Sequence, residues 1–314
     1  MEPIFFKPVY KNVIWGGNNI SKIFNRKIIG NNIGESWELS AHPNGLSKIE
    51  NKDLTENNLL ELFNNKNLKE EIFGKHCIKM EKFPILAKFI DAAQNLSIQV
   101  HPNDEYAKIN ENDSGKTEVW YIMDCKDDSK IVYGFKDEVT AETLQNAVDN
   151  IEESVKYVNV HKGDFISIPS GTIHAIMGGI MLCEIQQSSD ITYRVYDWNR
   201  VDKDGKPRQL HKQKALDVIN LTNNSNIYNY NTINTNTSMY KSDVFNIDMV
   251  KVNDKIQEKS NEDSFYAYIV IEGSGSIKVG SFFKNLEKGT TFLIPATLGD
   301  YTISGYMKLL KIWV

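Results

Sequence analysis

The stretch Lys162–Ile176, KGDFISIPSGTIHAI, decides how the rest of the chain is read. DFISIP is a β-branched and aromatic run closed by Pro169, the sequence form of a strand. Ser170, Gly171 and Thr172 then form a turn, in which glycine supplies backbone angles that other residues resist. His174 follows the turn as a new strand begins. The same pattern returns at Lys288 as KGTTFLIPATLGDYTI: Lys-Gly, four residues, Ile-Pro, a turn and another strand. The offset is 126 residues and places Asp300 where the first copy has His174. Each copy is preceded by an apolar strand and a hairpin, EVWYIMD with IVYGF and then YAYIVIEGSGSIKV. Two copies of one β unit are the simplest account. No histidine follows His211, so the second copy lacks the histidine of the first and serves to support the fold or to wall a cleft.

Outward from this repeat the chain reads as short strands and turns, the pattern of a sandwich, jelly roll or barrel. Three segments break it with helical spacing: Leu54–Phe73, Thr140–Val148 and His211–Leu221. The Asn- and Thr-rich run 223–238 is too polar to pack a core and is expected as a connector or strand edge. It suggests a division near residue 225, with a catalytic unit over 1–225 and a second unit over 226–314.

Composition bounds the chemistry. Hydrophobic residues make up 41% and charged residues 25% of 314, values of an ordinary globular protein. The net charge of -5 with no basic stripe argues against a nucleic-acid partner, although local lysines and arginines could bind a small anion. Cys77, Cys125 and Cys183 are widely spaced, as expected of reduced thiols in the cytoplasm. The segment MEPIFFKPVYKNVIW lacks the features of a signal peptide, and no apolar run reaches the ~18 residues of a membrane span.

One cluster of residues carries metal chemistry. SIQVHPND places Gln99 and His101 two apart, on one face of a strand. Glu118 opens the strand EVWYIMD, and His174 follows the PSGT turn. Two imidazoles, a carboxylate and an amide oxygen suit a borderline divalent ion and leave a position open for water or substrate, without fixing which metal is bound. The spacing Gly163, five residues, Pro169, one residue, Gly171, two residues, His174 resembles the second motif of the cupin superfamily. That resemblance implies a mainly β fold of two jelly-roll cupin barrels with a few inserted helices. His42 is expected near the cleft, and His76, His161 and His211 at the surface or in structural roles.

The blocks VIWGG, GESWELSAHP, LAKFIDAAQNLSIQVHPND, GKTEVWYI, IPSGTIHAI and EIQQSSDITYRVYDW resemble the type I mannose-6-phosphate isomerases in their short bacterial form. The resemblance implies one zinc ion per chain on Gln99, His101, Glu118 and His174. It implies an active-site lysine at Lys116, a cleft carboxylate at Glu184, an aspartate at Asp190 and a key arginine at Arg194. Lys88 and Ser97 match positions associated with the substrate phosphate. The helical insertion of longer relatives is absent, so its contacts do not transfer. The residues accord with these roles: Lys116 and Glu118 share a strand face, Arg194 offers a planar fork for oxyanions, and Lys88 sits in an apolar run. The expected substrate is a small sugar phosphate, isomerised through an enediolate, with Glu184, Lys116 or a water on the metal as base. Two rivals remain: a cupin iron(II) oxygenase using two histidines and a carboxylate, and a cupin that binds sugar phosphate without catalysis.

Overall fold

The structure is a computed structural model and describes every residue except 29, 202–203, 223–225 and 230–235. Strands dominate and fall into three sheets, none of which closes on itself. The first contains the long antiparallel strands Asn246–Lys259, Tyr266–Val279 and Asp300–Trp313, and it also takes in Ile4–Lys7 from the other end of the chain, paired with Thr291–Ile294. The second contains Val9–Gly17, Ile33–Leu39, Ile85–Ala92, Ile180–Gln187, Glu118–Cys125 and Asp164–Ile168, edged by the short strand Asn226–Asn229. The third contains Tyr193–Tyr196, Ile98–Val100, His174–Ile176, Lys130–Phe135 and Val155–Asn159.

Side-chain alternation explains how the sheets stack. Along Glu118–Cys125, Val119, Tyr121 and Met123 pack toward the first sheet, with Leu293, Leu310 and Ile312. Trp120 and Ile122 point the other way, into a core shared with Ile131, Tyr133 and Ile176 of the third sheet. A strand covered on both faces has to be apolar at both parities, and this one is. The third sheet is backed in turn by helices that contribute Val148, Ile151 and Ala215, packed with Ile98, Val100, Tyr193 and Val195. The first sheet encloses its own core of Val252, Tyr268, Phe292, Ile303 and Leu309. Polar residues that break the apolar pattern between the second and third sheets therefore face one another across an interior cleft.

The sequence repeat is also a repeat of conformation. Gly163 and Gly289 both adopt a left-handed backbone, with φ of 93° and 89°. Each donates its N–H over 2.8 Å to a carbonyl of an earlier strand, Ile122 and Val270 respectively. Asp300 opens a strand as His174 does. The run YAYIVIEGSGSIKV, read above as a strand and hairpin, is instead one strand, Tyr266–Val279. Its register slips between Val270 and Glu272 but continues against the same partner strand, which holds the glycines in line.

The helices are shorter than their periodicity suggests. Leu54–Phe73 breaks into Leu59–Asn64 and Lys69–Phe73, because Asn65 leaves the helical region at ψ 100°. Asn58 caps the first piece by accepting from the Glu61 N–H. The other two expected helices are Leu144–Asp149 and Lys212–Val218. Short helices at Asn19–Ile23, Asp104–Asn110 and Ile151–Ser154 were not legible as periodic runs. Part of the connector expected over 223–238 lies outside the described residues; its described parts include the strands Asn226–Asn229 and Thr237–Tyr240. Among the described residues no helix is long and apolar enough to cross a membrane.

Candidate metal centre and cleft

Two cross-strand rows build the site. In the third sheet Arg194 stands opposite Gln99, and Gln99 opposite His174. In the second sheet Lys88 lies between Trp37 and Glu184, and Glu184 lies opposite Trp120. Directly opposed residues of an antiparallel pair share a face, so each row points one way. Apart from His174, both rows line a cleft of about 440 Å³, which also exposes Glu35, Ser97, Lys116, Glu118, Asp190, Thr192, Arg208 and His211.

At its floor the Nε2 atoms of His101 and His174 and the carboxylate of Glu118 lie within 4.8 Å of one another, all buried. The turn that delivers His174 depends on Gly171, at φ +83°. A Cβ there would meet Asn220 at 2.7 Å, and its N–H donates to the His101 carbonyl. One residue thus fixes both histidine-bearing segments. Each imidazole Nδ1 meets a backbone carbonyl, His101 that of Ile191 at 2.8 Å and His174 that of Thr172 at 2.9 Å. With the Nδ1 protons donated there, both Nε2 lone pairs turn inward, the tautomer and orientation a metal requires.

The interior is electrostatically incomplete without a cation. His174 Nε2 lies 3.2 Å from Glu118 Oε1, and His101 Nε2 lies 3.5 Å from Glu118 Oε2. In this tautomer lone pair faces lone pair. Both Glu118 oxygens are buried without a hydrogen bond, although the Lys116 ammonium lies 3.2 Å from Oε2 and the same from His101 Nε2. Burial alone would raise the Glu118 carboxyl, but Lys116, His101 and His174 hold it well below the usual range. Burial, then the Lys116 charge, keeps His101 well below an ordinary imidazole and hence neutral. The donor set fits a divalent ion. Gln99 is the fourth expected ligand, its amide nitrogen 3.4 Å from His174 Nε2 and its oxygen accepting from Ser97 Oγ at 3.1 Å. Half a turn of the amide exchanges these two atoms.

The cleft wall carries the acid–base groups. Lys88 Nζ is 3.1 Å from Glu184 and 3.8 Å from Glu35. Burial opposes its charge, but Glu184, Glu35, Glu118 and Asp190 outweigh burial and raise its pKa. Glu184 is pushed up to about 7, chiefly by burial and by the Glu118 charge, against Lys88 and Lys116. Asp190 accepts from the Asn44 side chain at the rim. Arg194 donates to the Gln209 carbonyl at 2.9 Å, while its buried Nε has no partner. Burial and the nearby Arg208 lower its pKa.

All ten expected site residues sit in or directly against the cleft. The structure also brings in Glu35, Trp37 and Arg208, which sequence reasoning passed over, together with His211. His211 is on the cleft wall rather than in the surface or purely structural place expected of it, its Nδ1 3.3 Å from the Arg194 backbone nitrogen. The two-residue spacing of Glu35 and Trp37 in the strand Ile33–Leu39 was an available signal that they share a face. His42 packs edge-on against the Trp37 ring, with its Nε2 3.9 Å from Asp113.

Comparison with known proteins accords with this geometry. The family model for the catalytic domain of type I phosphomannose isomerase matches residues 4–119, and that for the cupin domain of mannose-6-phosphate isomerase matches 235–314. Mannose-6-phosphate isomerase ManA of Bacillus subtilis is 38% identical over 97% of this chain and 96% of its own. A mannose-6-phosphate isomerase of Streptococcus mutans is 35% identical over 98% and 97%. A crystal structure of the mannose 6-phosphate isomerase from Bacillus subtilis superposes with a TM-score of 0.91 at 34% identity, covering 100% of both chains.

Proposed function

This chain belongs to the type I phosphomannose isomerase family, and from that premise we propose how its cleft interconverts mannose 6-phosphate and fructose 6-phosphate. The observation that carries the reading is the unsatisfied Glu118 carboxylate between two inward-facing imidazoles, beside a second buried carboxylate, Glu184, pushed up to about 7.

The reaction moves a proton from C2 to C1 of an open-chain sugar. That proton is weakly acidic, so the charge that develops on O1 and O2 has to be stabilised. In our assignment Gln99, His101, Glu118 and His174 hold one zinc ion, which when bound supplies Lewis-acid polarisation of the sugar oxygens. Glu184 takes the C2 proton and returns it to C1, while the hydroxyl proton of O2 passes to O1. A carboxyl near neutrality is matched to that task, since it accepts and releases a proton at comparable cost. Lys88 holds Glu184 in place and keeps it ionised. Lys116 keeps Glu118 ionised and faces the developing oxyanion. Arg194, opposite Gln99, offers two N–H groups of its fork to O1 and O2, and Asp190 orients a sugar hydroxyl. We assign residues 1–225 to the catalytic unit and 226–314 to a second cupin that supports it. Three unpaired thiols and no membrane-spanning helix among the described residues favour a cytoplasmic enzyme acting on a small soluble substrate.

A coupled assay of fructose 6-phosphate formation from mannose 6-phosphate tests the reading. Zinc-loaded protein should turn over mannose 6-phosphate. Oxygen uptake by iron-loaded protein without isomerisation would overturn the reading.

A further inference from the structure

Two arginines bind one carboxylate at the edge of the cleft, and a third lies beside them. Asp197 is buried, and its Oδ1 accepts from Arg200 at 2.5 Å and from Arg208 at 2.6 Å. Its Oδ2 accepts from Arg208 Nε at 2.7 Å. Arg194 lies close enough to feel both other guanidiniums, and its buried Nε has no acceptor. Among the described residues, then, three positive charges share one negative charge. Arg194 and Arg208 line the cleft, and Arg200 does not.

The groups that sequence resemblance associates with phosphate are otherwise engaged. The Lys88 ammonium, with its side chain 6% exposed, is bound to Glu184 and Glu35. The Ser97 hydroxyl donates to Gln99. An anion arriving at Lys88 would have to displace a carboxylate. At Arg208, among the described residues, it displaces nothing: Asp197 grips Nε and one terminal nitrogen and leaves the other terminal nitrogen unengaged.

We infer that Arg208, aimed by Asp197, holds the phosphate monoester of the substrate, with Arg194 between that subsite and the metal floor. The inference rests on the isomerase reading and adds a recognition residue to it. A guanidinium fixed along one edge presents its other edge with little entropy left to lose, which suits a phosphate dianion. The excess positive charge on the cluster supplies the complement to that dianion. Binding at this remote end positions C1 and C2 over the metal floor and Glu184.

The test compares wild type with R208Q and R208K in the coupled assay, using inorganic phosphate as a competing probe. For R208Q we expect the KM for mannose 6-phosphate and the Ki for inorganic phosphate to rise about tenfold or more, with kcat within about threefold. R208K, which keeps the charge but loses the Asp197-held fork, should fall between. Unchanged KM and Ki in folded R208Q would overturn the inference, as would a tenfold fall in kcat alone. If R208Q does not fold, R208K decides by the same constants, and wild-type values there refute the subsite. An inactive wild type would count against the isomerase reading. The subsite would then stand or fall on whether inorganic phosphate raises the Tm of wild type and not that of the Arg208 variants.

Discussion

Lys88 Nζ lies 3.1 Å from a carboxylate oxygen of Glu184, and the two residues are direct register partners on adjacent strands of the second sheet. Both side chains are buried, so neither charge has water as an alternative partner. Breaking such a pair leaves the survivor uncompensated, at a cost of about 3–5 kcal/mol. Lys88→Met should therefore lower the Tm and also raise the Glu184 pKa, since Lys88 is one of the charges holding it down. A base works only when deprotonated, so the acid limb of kcat/KM should shift to higher pH. In the wild type that limb should lie at or below about 7, because a cation beside Glu118 weakens the second-largest cause of the upward shift. A pH–rate profile identical in wild type and K88M would show that Glu184 is not the base.

Arg194→Lys should keep the metal and most substrate binding but lose most turnover. Lysine retains the charge and loses the fork that reaches two oxygens together. A donor used mainly in the transition state costs a factor of ~10²–10³ in kcat and leaves KM nearly unchanged. Steady-state kinetics on zinc-saturated protein read this directly. A raised KM at normal kcat would assign Arg194 to ground-state phosphate binding instead.

Removing an imidazole should empty the floor of the cleft. His101→Ala and His174→Ala should each bring zinc, measured by elemental analysis, far below one ion per chain. In the wild type, chelation should abolish isomerisation and added zinc should restore it. The core of Val252, Tyr268, Phe292 and Leu309 contains no residue of the site. Its tertiary structure should persist in both variants. Full activity in protein shown to be metal-free would exclude the assigned role of the ion.

Gly171→Ala should act at a distance from the chemistry. Alanine resists φ +83°, and its Cβ would press on Asn220 at 2.7 Å. We expect a loss of about 1–3 kcal/mol in stability, together with weaker zinc retention, because the same turn carries His174 and receives the His101 carbonyl. Urea unfolding combined with zinc titration separates the two effects. Unchanged zinc affinity would mean that the turn does not set the ligand geometry.

Two of the three thiols, Cys77 and Cys183, should be silent in the native state. Burial pushes Cys77 up to about 12 and raises Cys183 well above its ordinary value. At pH 8 a thiol of pKa about 12 is thiolate in roughly one molecule in 10⁴. Ellman's reagent should therefore report neither cysteine until denaturant is added. Rapid labelling of Cys77 in native protein would contradict its burial.

How much of this was legible in sequence follows from the range of the interactions. The repeat, the strand runs and the positions of Gln99, His101, Glu118 and His174 were set by local rules: alternation on a strand, glycine at a left-handed turn, proline at a strand end. Such rules act within a few residues and leave their mark as spacing. Helix length failed where asparagines at a helix end outweighed leucine periodicity, as at Asn65. The strand Tyr266–Val279 was read as broken because its glycines look like a turn when its partner strand is out of view.

The partners of the site residues belong to the tertiary structure alone. Sequence placed Lys88 in an apolar run, but only the register of two strands 96 positions apart sets it against Glu184. Nothing in the sequence connects Arg208 with Arg194; the buried Asp197 carboxylate, gripping Arg208 beside Arg194, does that. His211 enters the cleft because the strand Tyr193–Tyr196 and the helix Lys212–Val218 pack together behind it. Residue type and spacing determine which groups are available for chemistry. Which charge compensates which is decided by desolvation and distance, and both exist only once the sheets have closed over the cleft.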